Sequence, residues 1–196
     1  MFEAGCIMGI VLASGSPRRR ELLDMAGFGD FRVILPENEE RIPPGASPEE
    51  AVCAIALQKA EYAARSCSAH DIIIAADTLV YLDDRPLGKP DGPDEAAEML
   101  RELSGRKHVV YTGVVLYSGN KHITCAEMTN VYFRDISAEE ISAYVDTGEP
   151  MDKAGAYGAQ GLGAVFIERI EGEFFNVMGL PLCRLSIMLK DFGGVR

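Results

Sequence analysis

Two short stretches of the chain contain only apolar residues and glycine, and they limit the possible folds more than any other feature. They are residues 7–13 and residues 72–76. A strand with one face in water alternates apolar and polar residues, whereas a strand covered on both faces is apolar throughout. The sequence therefore predicts two strands inside a sheet that is covered on both sides.

Helical segments alternate with the predicted strands. Ser16 followed by Pro17 is a typical helix start, and capping boxes begin at Ser47 and Ser137. Further helices are predicted over 93–103 and 181–192; strands over 31–35, 108–117, 125–133 and 164–170; and a hairpin over 79–87. This alternation predicts an α/β fold, and the two neighbouring long strands predict a mixed sheet.

Composition is that of a globular enzyme or binding protein. The chain has 196 residues, 47% of them hydrophobic, and no repeat or low-complexity linker, so we expect residues 1–196 to form a single domain. A net charge of −11 disfavours binding to a nucleic acid duplex. An anionic ligand would therefore need a local group of cations or a metal ion.

The sequence predicts a cytoplasmic protein that does not associate with a membrane. No apolar run approaches the roughly 20 residues of a membrane span, and the first twelve residues lack the basic region of a signal peptide. The five cysteines and three histidines show no zinc-ligand spacing.

The segment after the first predicted strand, Ser14-Gly15-Ser16-Pro17-Arg18-Arg19, combines small residues with arginines at a helix start. The free N–H groups of a helix N-terminus attract anions, and arginine donates two parallel hydrogen bonds to a phosphate. The segment predicts a phosphate site, although a helix cap followed by a solvated basic turn has the same pattern.

Asp77 lies at the carboxyl end of the second buried strand, where ligands bind in open α/β sheets. A carboxylate there could hold a divalent cation or act as a general base, but it could also simply end the strand in an Asx turn. Residues 148–163 form a long glycine-rich segment that could lie against a base or ribose, or be an ordinary loop. There is no Walker A pattern, which disfavours a GTPase or kinase.

The motifs taken together resemble the Maf (septum formation protein) family. The resemblance runs from the Leu12–Leu23 signature through Ala76-Asp77-Thr78, Gly88-Lys89-Pro90, Leu103-Ser104-Gly105, Asp152 to Gly161, and Val177-Met178-Gly179-Leu180-Pro181. It spans nearly the whole chain in the right order. The family implies a mixed, twisted central sheet flanked by helices, with two lobes around a deep cleft, and a nucleotide pyrophosphatase activity.

The resemblance also implies roles for individual residues. Asp77 matches the family's general base, and Glu40 with Asp77 matches the acidic residues near a divalent cation, Mg²⁺ or Mn²⁺. Positions matching substrate preference are Arg18, Thr78 and Gln160. Positions matching phosphate binding are Ser14, Ser16, Arg18, Arg19, Lys59, Lys89 and Lys153.

Arg18, Lys153 and Gln160 make the chain similar to the branch that hydrolyses dTTP and UTP, and unlike the branch that acts on 7-methyl-GTP. The resemblance further implies a nucleoside triphosphate substrate and a homodimer. A nucleotide-binding regulator of septum formation that does not turn its ligand over is the alternative, and the presence of Asp77 argues against it.

Overall fold

The computed structural model describes residues 9–37 and 40–193. The helices are α1 Pro17–Met25, α2 Pro48–Ala64, α3 Pro93–Leu103, α4 Ala138–Asp146, α5 Phe174–Met178 and α6 Leu182–Gly193. The strands are β1 Ile10–Ala13, β2 Phe31–Ile34, β3 Ile72–Leu82, β4 Arg85–Leu87, β5 Lys107–Ser118, β6 Lys121–Phe133 and β7 Ile167–Glu171.

The strands form one mixed sheet in the order β2-β1-β3-β5-β6-β7, with β4 paired to β3. Strand β1 runs parallel to both β2 and β3, whereas β5, β6, β7 and β4 add antiparallel pairs. The predicted mixed α/β sheet is confirmed. Strand β3 is a central strand of the sheet, since it pairs with β1, β4 and β5.

Burial on both faces explains the all-apolar strands. Leu12 and Ile74 pack on one face of the sheet with residues of α1 and α6. Val11 and Ile73 pack on the other face against the alanines of α2. These two clusters form the core of a first lobe. A third cluster, around Val80 and the helices α3 and α4, forms the core of a second lobe. The cleft opens where β3 passes from the first lobe to the second.

Helix ends follow the predicted signals closely. Ser47 and Ser137 each form a complete capping box, and Ser16 is the N-cap of α1, although its hydroxyl makes no capping hydrogen bond.

None of the helices within 9–37 and 40–193 combines the length and hydropathy that a membrane crossing requires.

Several predicted elements differ from the structure. Strand β6 begins at Lys121 instead of residue 125, and the strand predicted over 72–76 continues as β3 into the predicted hairpin. The glycine-rich segment is not structureless, since it forms three 3₁₀ turns, Glu149–Asp152, Ala154–Ala156 and Leu162–Phe166. The last of these delays β7 to Ile167, because the Ala164 N–H bonds to the Gly161 carbonyl within the turn instead of to a neighbouring strand. Helix α5 was not predicted, since five residues are too few to show a helical period. Residues 7–8 of the first predicted strand lie outside the described residues.

Gly113 lets α2 pack directly on the sheet. It lies opposite Asp77 in the β3–β5 register. A Cβ atom at this position would lie 2.5 Å from the Val52 carbonyl oxygen and 2.7 Å from the Cys53 nitrogen. Since both are backbone atoms of α2, the helix itself would have to move.

We expect Gly113→Ala to lower the free energy of unfolding by about 1–3 kcal/mol, because the added methyl overpacks a filled interface. Urea unfolding measures this change. Gly29→Ala is the matched control, since a Cβ there meets nothing within 4 Å. Equal stability of the two variants would contradict the close packing of α2.

Candidate active site

A cavity of about 700 Å³ lies between the two lobes. Every residue that the sequence nominated for a site lines it: Ser14, Ser16, Arg18, Arg19, Glu40, Lys59, Asp77, Thr78, Lys89, Lys153 and Gln160. These residues come from α1, α2 and β3, and from the segments that follow β1, β2, β4 and α4. The structure therefore brings the predicted residues together, while their roles remain predictions.

Lys59 joins two carboxylates at one wall of the cavity. Its Nζ lies 2.6 Å from Asp77 Oδ1 and 2.8 Å from Glu40 Oε1. Asp77 is buried, and its Oδ2 makes no hydrogen bond to the described residues. A buried carboxylate oxygen needs a partner, so Oδ2 is the atom of this wall whose hydrogen-bonding capacity is still unused.

Arg19 is a buried cation that fastens three segments of the cavity wall. Its Nε donates to the Gly179 carbonyl at 2.7 Å, Nη1 donates to Ser14 Oγ at 3.1 Å, and Nη2 donates to Thr78 Oγ1 at 3.1 Å. Burial lowers the pKa of Arg19, and the nearby Asp77 opposes this shift. The guanidinium stays protonated, because arginine does not lose its proton in proteins.

Ser14 is left as a hydrogen-bond donor. Its Oγ accepts from Arg19 Nη1 at 3.1 Å and from the Ser16 backbone N–H at 3.2 Å. A hydroxyl oxygen has two lone pairs, and both are then used. The Ser14 hydrogen is thus free to point at an acceptor in the cavity, and a phosphate oxygen is such an acceptor.

Helix α1 and the glycine-rich segment meet across the mouth of the cleft. Arg18 Nη1 lies 3.3 Å from Asp152 Oδ2, and Gln160 Nε2 lies 3.3 Å from Glu21 Oε2. Lys153 also lies 2.6 Å from Asp152 Oδ1. Burial alone would raise the pKa of Asp152, but the hydrogen bond and charge of Lys153, helped by Arg18, hold it below its ordinary value.

Lys89 differs from the other cavity lysines. It is exposed, and within the described part of the chain it has no ion pair or hydrogen bond. An unpaired ammonium beside a cavity can bind an anion without first giving up an acidic partner. This makes it the cation of the cleft that is most available to an incoming phosphate.

Glu149 organises the glycine-rich segment, a role that the sequence analysis missed. Its carboxylate accepts from the backbone N–H groups of Leu162 at 2.9 Å and Gly163 at 3.2 Å, and from the Tyr144 hydroxyl at 2.9 Å. Burial opposes ionisation of Glu149, yet the two backbone donors keep its pKa below the ordinary value. An acid next to a predicted helix end was the only signal in the sequence.

Tyr157 lines the cavity between the lobes and is held in place by a buried histidine. His108 Nε2 lies 2.8 Å from the Tyr157 hydroxyl. Burial lowers the pKa of His108 to about 3 and raises that of Tyr157, so both groups are neutral at physiological pH. The pair therefore fixes the position of the wall without adding charge to it.

The family model described as Maf-like protein matches residues 9–192. This chain belongs to the Maf family. Curated relatives include the dTTP/UTP pyrophosphatases of Bacillus cereus (strain G9842) and Bacillus anthracis (strain CDC 684 / NRRL 3495). Each is 49% identical over 183 residues, which cover 93% of this chain and 95% of the relative.

A solved structure of another protein has a similar fold. The structure of a HAM1 protein from Coxiella burnetii superposes with a TM-score of 0.53 and covers 94% of this chain and 100% of its own. Its sequence is only 18% identical, so the similarity concerns the fold alone. The family's mixed sheet flanked by helices, expected from the sequence, is confirmed.

We expect Glu149→Gln to loosen the segment that carries Gln160, because an amide oxygen cannot replace a carboxylate that accepts three hydrogen bonds. The amides of Leu162 and Gly163 should exchange their hydrogens faster, and stability should fall by about 1–3 kcal/mol. Glu98→Gln, on an exposed face of α3, is the control. Unchanged exchange at both amides would show that Glu149 does not hold this segment.

Proposed function

We propose that this protein is a nucleoside triphosphate pyrophosphatase that converts dTTP and UTP to the monophosphate and pyrophosphate. The observation that carries the proposal is the unpartnered Oδ2 of buried Asp77, in a cavity otherwise rich in cations. The relatives named dTTP/UTP pyrophosphatase, 49% identical over nearly their whole length, support the substrate.

The cations of the cleft would bind the triphosphate. In a chain of net charge −11, a local group of basic residues offsets the general repulsion of an anion. The side chains proposed for this task are Arg18, Arg19, Lys59, Lys89 and Lys153. The Ser14 hydroxyl would donate to the phosphates, as would the Ser16 hydroxyl, which makes no capping hydrogen bond, and the free backbone N–H groups at the start of α1.

Asp77 would act as the general base. A water molecule gives a proton to Oδ2 while its oxygen bonds to the α-phosphorus. The bond from that phosphorus to the bridging oxygen breaks on the opposite side, and pyrophosphate leaves with the electron pair. Lys59, held against Asp77 Oδ1, fixes the orientation of the carboxylate during this step.

The same wall fits a divalent cation, Mg²⁺ or Mn²⁺. Glu40 and Asp77 would hold it together with the phosphates, since Mg²⁺ commonly binds through one or two carboxylates and substrate oxygens. Among the described residues, no group of three or more His, Cys, Asp or Glu could hold a metal ion. When bound, the cation would offset charge that develops on the phosphate oxygens.

We assign recognition of the nucleobase of the substrate to Arg18, Thr78 and Gln160. Gln160 and Arg18 each pair with an acid across the mouth of the cleft, and these exposed pairs are weak enough for a ligand to replace. The amide of Gln160 offers both a donor and an acceptor to a pyrimidine edge.

We propose a single cytoplasmic enzyme domain that acts as a homodimer and binds neither a nucleic acid duplex nor a membrane. The acidic net charge supports the absence of duplex binding. The proposed role is the removal of unwanted nucleotides from the cytoplasm.

Pyrophosphate release from ATP, GTP, CTP, UTP, dTTP and 7-methyl-GTP, with Mg²⁺ or Mn²⁺, tests the proposal. UTP and dTTP should be hydrolysed fastest, and Asp77→Asn should lower kcat about 10²–10⁴-fold, because it removes the general base. Asp71→Asn is the matched control, since Asp71 is equally buried beside β3 but does not line the cleft. Binding of nucleotides without turnover would favour the regulator of septum formation instead.

A further inference from the structure

A chain of hydrogen bonds runs from the cleft into the buried interior of the sheet. Arg19 Nη2 lies 3.1 Å from Thr78 Oγ1, and Thr78 Oγ1 lies 2.9 Å from Thr112 Oγ1. Thr112 Oγ1 in turn lies 3.0 Å from the backbone carbonyl oxygen of Asn176. Thr112 and Asn176 are fully buried, whereas Thr78 lines the cavity.

The two ends of this chain fix the direction of every hydrogen bond within it. A carbonyl oxygen can only accept, so Thr112 must donate its single hydroxyl hydrogen to Asn176. Thr112 can then only accept from Thr78, which uses up the Thr78 hydrogen. Arg19 can only donate, and it takes one lone pair of Thr78 Oγ1. One lone pair of Thr78 is left.

Asn176 keeps the inner end of the chain in place. Its side-chain Nδ2 donates to the Val110 carbonyl at 3.1 Å and to Thr129 Oγ1 at 3.0 Å. It is also the carbonyl acceptor at the start of the turn that leads to Gly179, the residue held by Arg19. The direction of the chain therefore depends on a rigid, buried frame and not on exposed side chains.

We propose that Thr112 is a positioning residue that makes Thr78 an obligate hydrogen-bond acceptor, so that the cleft selects a base with a ring N–H. Uracil and thymine carry such a group at N3, whereas N3 of cytosine is itself an acceptor and would face the Thr78 lone pair. This inference rests on the proposed function. It predicts that the site discriminates against CTP.

The test is the ratio of kcat/KM for UTP to that for CTP in Thr112→Val. Valine has the shape of threonine but no hydroxyl, so the Thr78 hydrogen becomes free to turn toward an acceptor. We expect the ratio to fall about tenfold, the size of one mismatched hydrogen bond. Thr112→Ser, which keeps the hydroxyl, should restore the ratio of the unmodified protein.

Thr129→Val controls for loss of a buried hydroxyl. Thr129 is also fully buried, accepts from Asn176 and donates to the Glu173 carbonyl, but does not contact Thr78. It should lower stability in thermal unfolding, as Thr112→Val does, and leave the ratio unchanged. An equal change of the ratio in both variants would overturn the proposal and indicate a purely structural role.

A sugar hydroxyl is the other donor that Thr78 could meet. If Thr112→Val instead changes the preference between dTTP and its 3′-deoxy analogue, the assignment to the base is overturned. An unchanged UTP-to-CTP ratio in an active Thr112→Val enzyme overturns it as well. Absence of turnover of every triphosphate by the unmodified protein is a different result, since that would contradict the proposed function.

Discussion

The cleft depends on one buried positive charge. The guanidinium of Arg19 is shielded from water, so its N–H groups need partners within the protein. It takes them from the end of β1, from β3 and from the turn after α5, through Ser14, Thr78 and Gly179. Gly179 has a φ of +106°, and a Cβ there would lie 3.3 Å from Thr78 Oγ1, so glycine suits this crowded turn. The same cation leaves Ser14 as a donor and Thr78 with only one lone pair to offer.

The other cations of the cleft are paired with acidic side chains, and a substrate can take the place of some of those acids. Lys59 is paired with Glu40 and Asp77, and Arg18 and Lys153 are paired with Asp152. Phosphate oxygens are stronger partners for these cations than an exposed carboxylate. In the proposed reaction, the substrate replaces the exposed acids Glu40 and Asp152 as partners of these cations, while the buried Lys59–Asp77 pair stays in place. Binding then assembles the site without a large rearrangement of the sheet.

The sequence predicted those features whose signals are local. All-apolar strands, capping boxes and the signature at Ser14 depend on neighbours in the chain, and β1 and β3 lie side by side, so their functional ends meet. Thr112, Asn176 and Glu149 gave no comparable signal. Thr112 meets Asn176 from 64 residues away, and its importance appears only once β5 is placed beside β3 and α5. Helix α5 and the 3₁₀ turns are too short to show a period.

The position of the bond that breaks is the decisive test of the proposed mechanism. Hydrolysis of UTP in H₂¹⁸O, followed by mass spectrometry of the products, reports which phosphorus the water attacks. We expect the label to enter UMP and pyrophosphate to carry none, because water activated at Asp77 attacks the α-phosphorus. Label in pyrophosphate, or UDP and labelled inorganic phosphate as products, would contradict it.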